Sequence, residues 1–142
     1  MSDRYFLDTN IFVYEFDTRE PAKTRCASKL VRKAVTTKRG VVSYQVVQEF
    51  FSVAFTRFAK PLPVSDAERY LLTIFRPLLA VHSSPRLMLE AMRLRETHHL
   101  PWYDSLIVAA AGEADCETLY TEDFQAGRSL EGIRVVNPFI ND

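Results

Sequence analysis

The sequence predicts an α/β domain in which a central, mainly parallel sheet is flanked by helices, and three observations lead there. Short apolar runs of strand length alternate along the chain with longer stretches of helical periodicity. The runs are apolar enough to be buried on both faces, as strands of a parallel sheet are. The length of 142 residues, with 47% hydrophobic and 25% charged side chains, suits one ordinary core. No linker, low-complexity tract or internal repeat divides the chain, so residues 1–142 are read as a single domain.

The elements follow in order. Tyr5-Phe6-Leu7 reads as a buried first strand ending at Asp8, and residues 10–16 as a short helix. Glu20-Pro21 opens a longer helix, with proline in the first turn where its missing N–H does no harm. Ala22, Cys26, Leu30 and Ala34 form its apolar stripe, and Gly40 closes the section. Val41-Val42 is a short strand, and Ser43 is placed to cap a helix over 44–58 that carries Val46, Val47, Phe50, Phe51, Ala54 and Phe58 on one broad face. Pro61 and Pro63 break that helix. Ser65 and Glu68 have the spacing of a capping box, which predicts a helix running to about Phe75. Leu78–Val81 reads as a strand, and Ser84-Pro85 starts a helix ending near His98-His99. Residues 102–114 form a helix that is apolar nearly all round and therefore central. Thr118-Leu119-Tyr120 and Ile133–Val136 complete the strands.

Composition excludes several classes of function. No apolar run approaches the roughly 20 residues that cross a bilayer, so no membrane partner is expected. The first ten residues lack the zones of a secretory signal, and Cys26 and Cys116 have no CxxC partner. Buried free thiols in a reducing cytoplasm are the simplest reading. There is no Walker loop and no GxGxxG, and His82, His98 and His99 lack zinc-ligand spacing. Lys and Arg total 18 and so do Asp and Glu, yet the distribution is uneven. Residues 1–60 carry 11 basic and 6 acidic side chains, and residues 61–142 carry 7 and 12. A fold that brings these halves together can set an acidic pocket beside a basic rim, as a metal-dependent nuclease requires, but composition alone favours ordinary solvated helix faces.

Four acids sit in apolar surroundings. Asp8 ends the first strand, Glu49 lies inside Val-Val-Gln-Glu-Phe-Phe, Asp104 opens the apolar helix, and Asp123 follows the strand Thr118-Leu119-Tyr120 closely. A carboxylate removed from water needs a cation, a donor or a proton in place of its hydration. Ligands gather at the carboxyl ends of parallel strands, and several acids meeting there repel one another. A hard divalent ion such as Mg²⁺ relieves that repulsion, and the set suits phosphodiester hydrolysis. Each acid also has a plainer explanation. Asp8 can cap the helix after it, Asp104 can sit on its own helix dipole, Asp123 can be a loop acid beside Glu122, and Glu49 can form a buried ion pair.

Their order and spacing resemble the PIN-domain family, in particular the VapC-like toxins of bacterial toxin–antitoxin pairs. The resemblance covers nearly the whole chain. It is carried by the opening strand with Asp8-Thr9-Asn10, by Ser43 to Glu49 within Val42–Phe50, by Asp104 at the head of Ser105-Leu106-Ile107-Val108-Ala109-Ala110-Ala111, by Thr121-Glu122-Asp123, and by the closing Val136-Asn137-Pro138-Phe139. It implies a PIN-like three-layer sandwich and a ribonuclease using a metal-activated water, with Mg²⁺ or alternatively Mn²⁺. Asp8, Glu49, Asp104 and Asp123 are the implied metal-holding acids, and Asn10, Ser43 and Thr121, with Ser105 beside them, would orient carboxylates or waters. It further implies a homodimer, a cognate antitoxin and an RNA substrate. The competing reading is a catalytically silent PIN-like module that binds RNA or protein. Haloacid-dehalogenase-like phosphatases want a second Asp where Asn10 stands, and a receiver domain wants an Asp where the Leu78–Val81 strand runs into His82. Arg86, Arg93, Arg95 and the cations from Lys23 to Arg39 are candidate phosphate contacts.

Overall fold

Tyr5–Leu7 forms strand β1, buried along its whole length, with Phe6 and Leu7 sealed from solvent. The computed structural model describes residues 3–122 and 127–140. Asp123 therefore lies outside the described residues. Strands β2 (Gly40–Ser43), β3 (Leu79–Val81), β4 (Thr118–Tyr120), β5 (Ser129–Leu130) and β6 (Ile133–Val136) complete one sheet in the order β3-β2-β1-β4-β6-β5. All neighbours are parallel except β5 and β6. The mainly parallel sheet with flanking helices is the architecture expected from the sequence.

Helices α1 (Thr9–Tyr14), α2 (Pro21–Thr37), α3 (Tyr44–Thr56), α6 (Pro85–His98) and α7 (Trp102–Glu113) flank the sheet, α1 being a short one of six residues. Ser43 caps α3 as expected, its hydroxyl oxygen accepting from the Val46 N–H at 3.4 Å. On α7, Ser105 and Ile107 to Ala111 are buried, which places that helix centrally. The apolar stripe of α2 is rotated from the expected one, with Ala27, Val31 and Ala34 buried and Ala22 exposed, and two expectations for the helix after Pro63 also fail. The capping box at Ser65 does not form: Pro63, in extended backbone, takes the cap position, so α4 (Val64–Tyr70) begins before Ser65 and absorbs it. The helix also continues past Phe75, through a π-helical turn at Leu71–Phe75 into the short α5 (Arg76–Leu78).

The π turn has a packing cause. In α geometry residues five apart diverge by about 140° around the axis. An i→i+5 turn brings them nearer the same side, and here both Tyr70 and Phe75 reach the same aromatic cluster, with ring centroids 5.2 Å apart. The cluster centres on Phe50 of α3, fully buried, which stacks on Tyr70 at 5.1 Å and meets Phe75 edge-on at 5.3 Å. Burial of such rings contributes about 2–3 kcal/mol each. It also sets the rotation of α3 about its axis, which matters for the neighbouring residue, Glu49.

Strand β5 has no counterpart in the sequence reading. Its hairpin to β6 turns on Glu131 and Gly132, both at positive φ (52° and 83°), the backbone of a two-residue I′ turn.

Candidate active site

Strands β1 and β4 lie side by side with Leu7 opposite Tyr120, and their carboxyl ends deliver Asp8 and Thr121 to the same place. From β1 the chain proceeds outward to β2, whereas β4 leads the other way to β6, so this is the switch point of the sheet. Asp8 is 6% exposed and Thr121 fully buried. One Asp8 oxygen accepts from the Thr9 N–H at 2.7 Å, capping α1, and the other accepts from the Thr121 hydroxyl at 2.8 Å. The capping explanation for Asp8 and a role in a site are thus compatible. Asn10 ties the two strand ends together: its amide nitrogen donates to the Thr121 hydroxyl at 3.5 Å, and its amide oxygen accepts from the Glu122 N–H at 3.4 Å.

Glu49 reaches the same region from α3. Its carboxylate accepts from the Thr9 hydroxyl at 3.3 Å and from the Gln45 amide at 2.6 Å. Gln45 also donates to the Tyr103 carbonyl at 3.5 Å, which joins α3 to the first turn of α7, where Asp104 stands half-buried. A continuous chain of polar contacts therefore runs from Thr121 through Asp8, Thr9, Glu49 and Gln45 to the residue beside Asp104. Ser105 donates to the Pro101 carbonyl at 3.0 Å within the start of its own helix.

Glu122 is engaged elsewhere. Lys23 pairs with it at 2.6 Å and the Tyr14 hydroxyl donates to it at 2.5 Å. The hydrogen bond to Glu122 holds the Lys23 ammonium well above its ordinary range, and burial, then Glu122, pushes the Tyr14 hydroxyl up. Glu122 thus anchors the end of β4 to α1 and α2.

Sequence reasoning missed Thr9, Gln45, Tyr14 and Lys23 as members of this neighbourhood. Gln45 had a signal, being one helical turn before Glu49 on the same face. Lys23 and Tyr14 had none, since 99 and 108 residues separate them from Glu122. Of the cations offered as phosphate contacts, Arg93 is committed to Glu90 and Glu131, and Arg95 to the Leu100 carbonyl.

The donors around Asp8 and Glu49 are oxygens, the chemistry a hard divalent cation prefers. Among the described residues, no three His, Cys, Asp or Glu side chains stand close enough together to hold an ion as placed. Glu49 is drawn toward Gln45 and Thr9 instead. The oxygen donors of Asp8 and Glu49 fit Mg²⁺ or Mn²⁺ in kind.

The model of the PIN domain matches residues 5–128 of the sequence. The chain belongs to the PIN-domain family. PIN domains are in general nucleases, and such nucleases generally use divalent metals. This PIN domain is similar to a chain of a toxin–antitoxin complex from Klebsiella pneumoniae, at 20% identity over 94% of this chain and 97% of that one, with a TM-score of 0.66. It is similar to a chain of FitAB bound to the IR36 DNA fragment, at 19% identity over 97% of each chain and a TM-score of 0.69. A third similar structure is VapC20 of Mycobacterium tuberculosis, a sarcin–ricin loop cleaving toxin, at 18% identity over 84% of this chain and 89% of that one, with a TM-score of 0.59. At these identities the likeness concerns the fold. Among curated protein sequences none matches this one. Among the described residues of the PIN domain, no helix is long and apolar enough to cross a membrane.

Proposed function

We propose that this PIN domain is a divalent-metal-dependent ribonuclease, the toxin of a toxin–antitoxin pair. In this reading it acts in the cytoplasm as a homodimer that a cognate antitoxin restrains. The observation that carries the proposal is the polar chain at the switch point, where a buried aspartate and a half-buried glutamate meet through Thr9 at the carboxyl end of a parallel sheet. Asp8, Glu49 and Asp104 are the residues that would hold Mg²⁺ or Mn²⁺, with Asp123 as the fourth acid. When bound, the ion supplies an acidified water and charge neutralisation at the phosphoryl group.

The chain's own residues do the positioning. Thr9 N–H and Thr121 orient the Asp8 carboxylate, and Asn10 holds Thr121 in register with it. Gln45 and the Thr9 hydroxyl hold Glu49 at the rim, and capping by Ser43 fixes the start of the helix that carries it. The likeness of the fold to toxins, one of them an RNA-cleaving one, supports RNA as the substrate class.

The test is cleavage of cellular RNA by the purified protein with Mg²⁺ or Mn²⁺, beside EDTA and a folded Asp8→Asn variant. The expected result is metal-dependent cutting lost in both controls. No cutting by the folded, metal-supplemented protein would favour a binding module without catalysis, and cutting that persists in Asp8→Asn would refute the assigned site.

A further inference from the structure

Residues 21–39 hold seven Lys and Arg and no Asp or Glu, while the rest of the chain has 11 basic side chains against 18 acidic. Helix α2 spans most of this segment and presents Arg25, Lys29, Arg32 and Lys33, all exposed, on one face, with Thr36 continuing the line. At 100° per residue these positions fall within about 100° of arc, opposite Ala27, Val31 and Ala34, which face the core. Lys23 and Arg39, on either side of the four, are paired with Glu122 and Asp3. The four between them take part in no salt bridge among the described residues, because the helix offers no acid one turn away. Lys29 has a like charge one turn away on each side, at Arg25 and Lys33, an arrangement that works against the helix unless an anion lies along it.

We infer that this face of α2 is a track for the phosphate backbone of the RNA, outside the bond that is cut. The inference rests on the ribonuclease reading for its choice of ligand. Three features point to a polyanionic strand. Arg25 to Lys33 extends about 12 Å along the axis, a length over which successive phosphates are met. The face has no apolar anchor, its other members being Thr24, Ser28 and Thr36, whereas a protein interface centres on a desolvated apolar or aromatic patch. And the first turn of α2 is fastened to the carboxyl end of β4 through Lys23, on another face of the helix, and Glu122, so the end of the helix where the basic face begins is held near the switch point. With no exposed aromatic ring on this face to stack on bases, the contact reads charge and not sequence.

The experiment uses the full chain carrying Asp8→Asn, so that RNA is bound without being cut, and a labelled 20-nucleotide RNA whose dissociation constant is followed against salt. One variant adds Arg25→Gln, Lys29→Gln, Arg32→Gln and Lys33→Gln. A charge-matched control adds Arg57→Gln, Lys60→Gln, Arg69→Gln and Arg76→Gln, which are exposed on other elements. The α2 variant is expected to bind about tenfold or more weakly at 0.1 M salt, with a log–log salt slope shallower by about 2 to 3. The control keeps the original slope to within one contact. Equal losses in both variants, no loss in either, or failure of the Asp8→Asn protein to bind RNA overturns the track. So does a result in which the α2 variant keeps RNA but loses polyglutamate, since that assigns the face to an acidic protein. In a background with Asp8 intact, a rise in KM for long RNA at unchanged kcat accords with the track. If the Asp8-intact protein cuts nothing while the salt slope behaves as expected, the ribonuclease reading fails and the track stands.

Discussion

Thr121 links the two strand ends of the candidate site. Its hydroxyl is the side-chain donor to a nearly buried aspartate, and it is itself held by Asn10. Thr121→Val keeps the shape and removes the donor, leaving a carboxylate oxygen without that partner. The expected destabilisation is about 1–3 kcal/mol by urea unfolding, and the rate of RNA cleavage should fall about 10- to 100-fold as Asp8 loses its orientation. Activity equal to the unaltered protein would remove Thr121 from the site. Cys116 shows the opposite situation, a reactive group kept idle. Burial pushes its thiol up to about 12, so the thiolate is scarce in the folded protein at any pH below that value. Iodoacetamide at pH 8 should therefore leave Cys116 unmodified in the native protein and label it in urea, as read by mass spectrometry of the peptides.

At the scale of elements, the helix–strand contact between α2 and β2 sets the most stringent packing limit. A Cβ at Gly40 would stand 2.3 Å from the Ala34 Cβ and 3.0 Å from its Cα, so neither partner has a flexible end to move aside. Gly40→Ala is expected to cost about 1–3 kcal/mol in equilibrium unfolding while leaving the fold intact. A neutral effect would mean that α2 lies further from the sheet. The sequence reading assigned this glycine to helix termination, but Lys38 takes the left-handed position that ends α2. The same contrast runs through the other elements. Strands β1, β2 and β4 were legible because Tyr5-Phe6-Leu7, Val41-Val42 and Thr118-Leu119-Tyr120 are local signals. The π turn was not, because it answers to Phe50, a ring on a different helix.

Across the whole molecule, the acids proposed for the site drew attention in the sequence for the same reason: Asp8, Glu49 and Asp104 each stand out against their immediate apolar neighbours. What could not be read were contacts between residues far apart in the chain, such as Lys23 with Glu122, where nothing in either segment announces the other. The even balance of charge also concealed its arrangement, since 18 cations and 18 anions average to zero while one helix carries a purely basic face.

The hydrogen bond from Thr121 to Asp8 joins positions 113 residues apart. At the usual pace of synthesis, about 5–20 residues per second, the aspartate is made roughly 6–23 seconds before the threonine that orients it. For that interval β1 has no β4 beside it and Asp8 lacks the Thr121 hydroxyl. Under the proposed ribonuclease reading, the site is therefore incomplete while the chain is still being made, and the order of the sequence delays its assembly until β4 arrives.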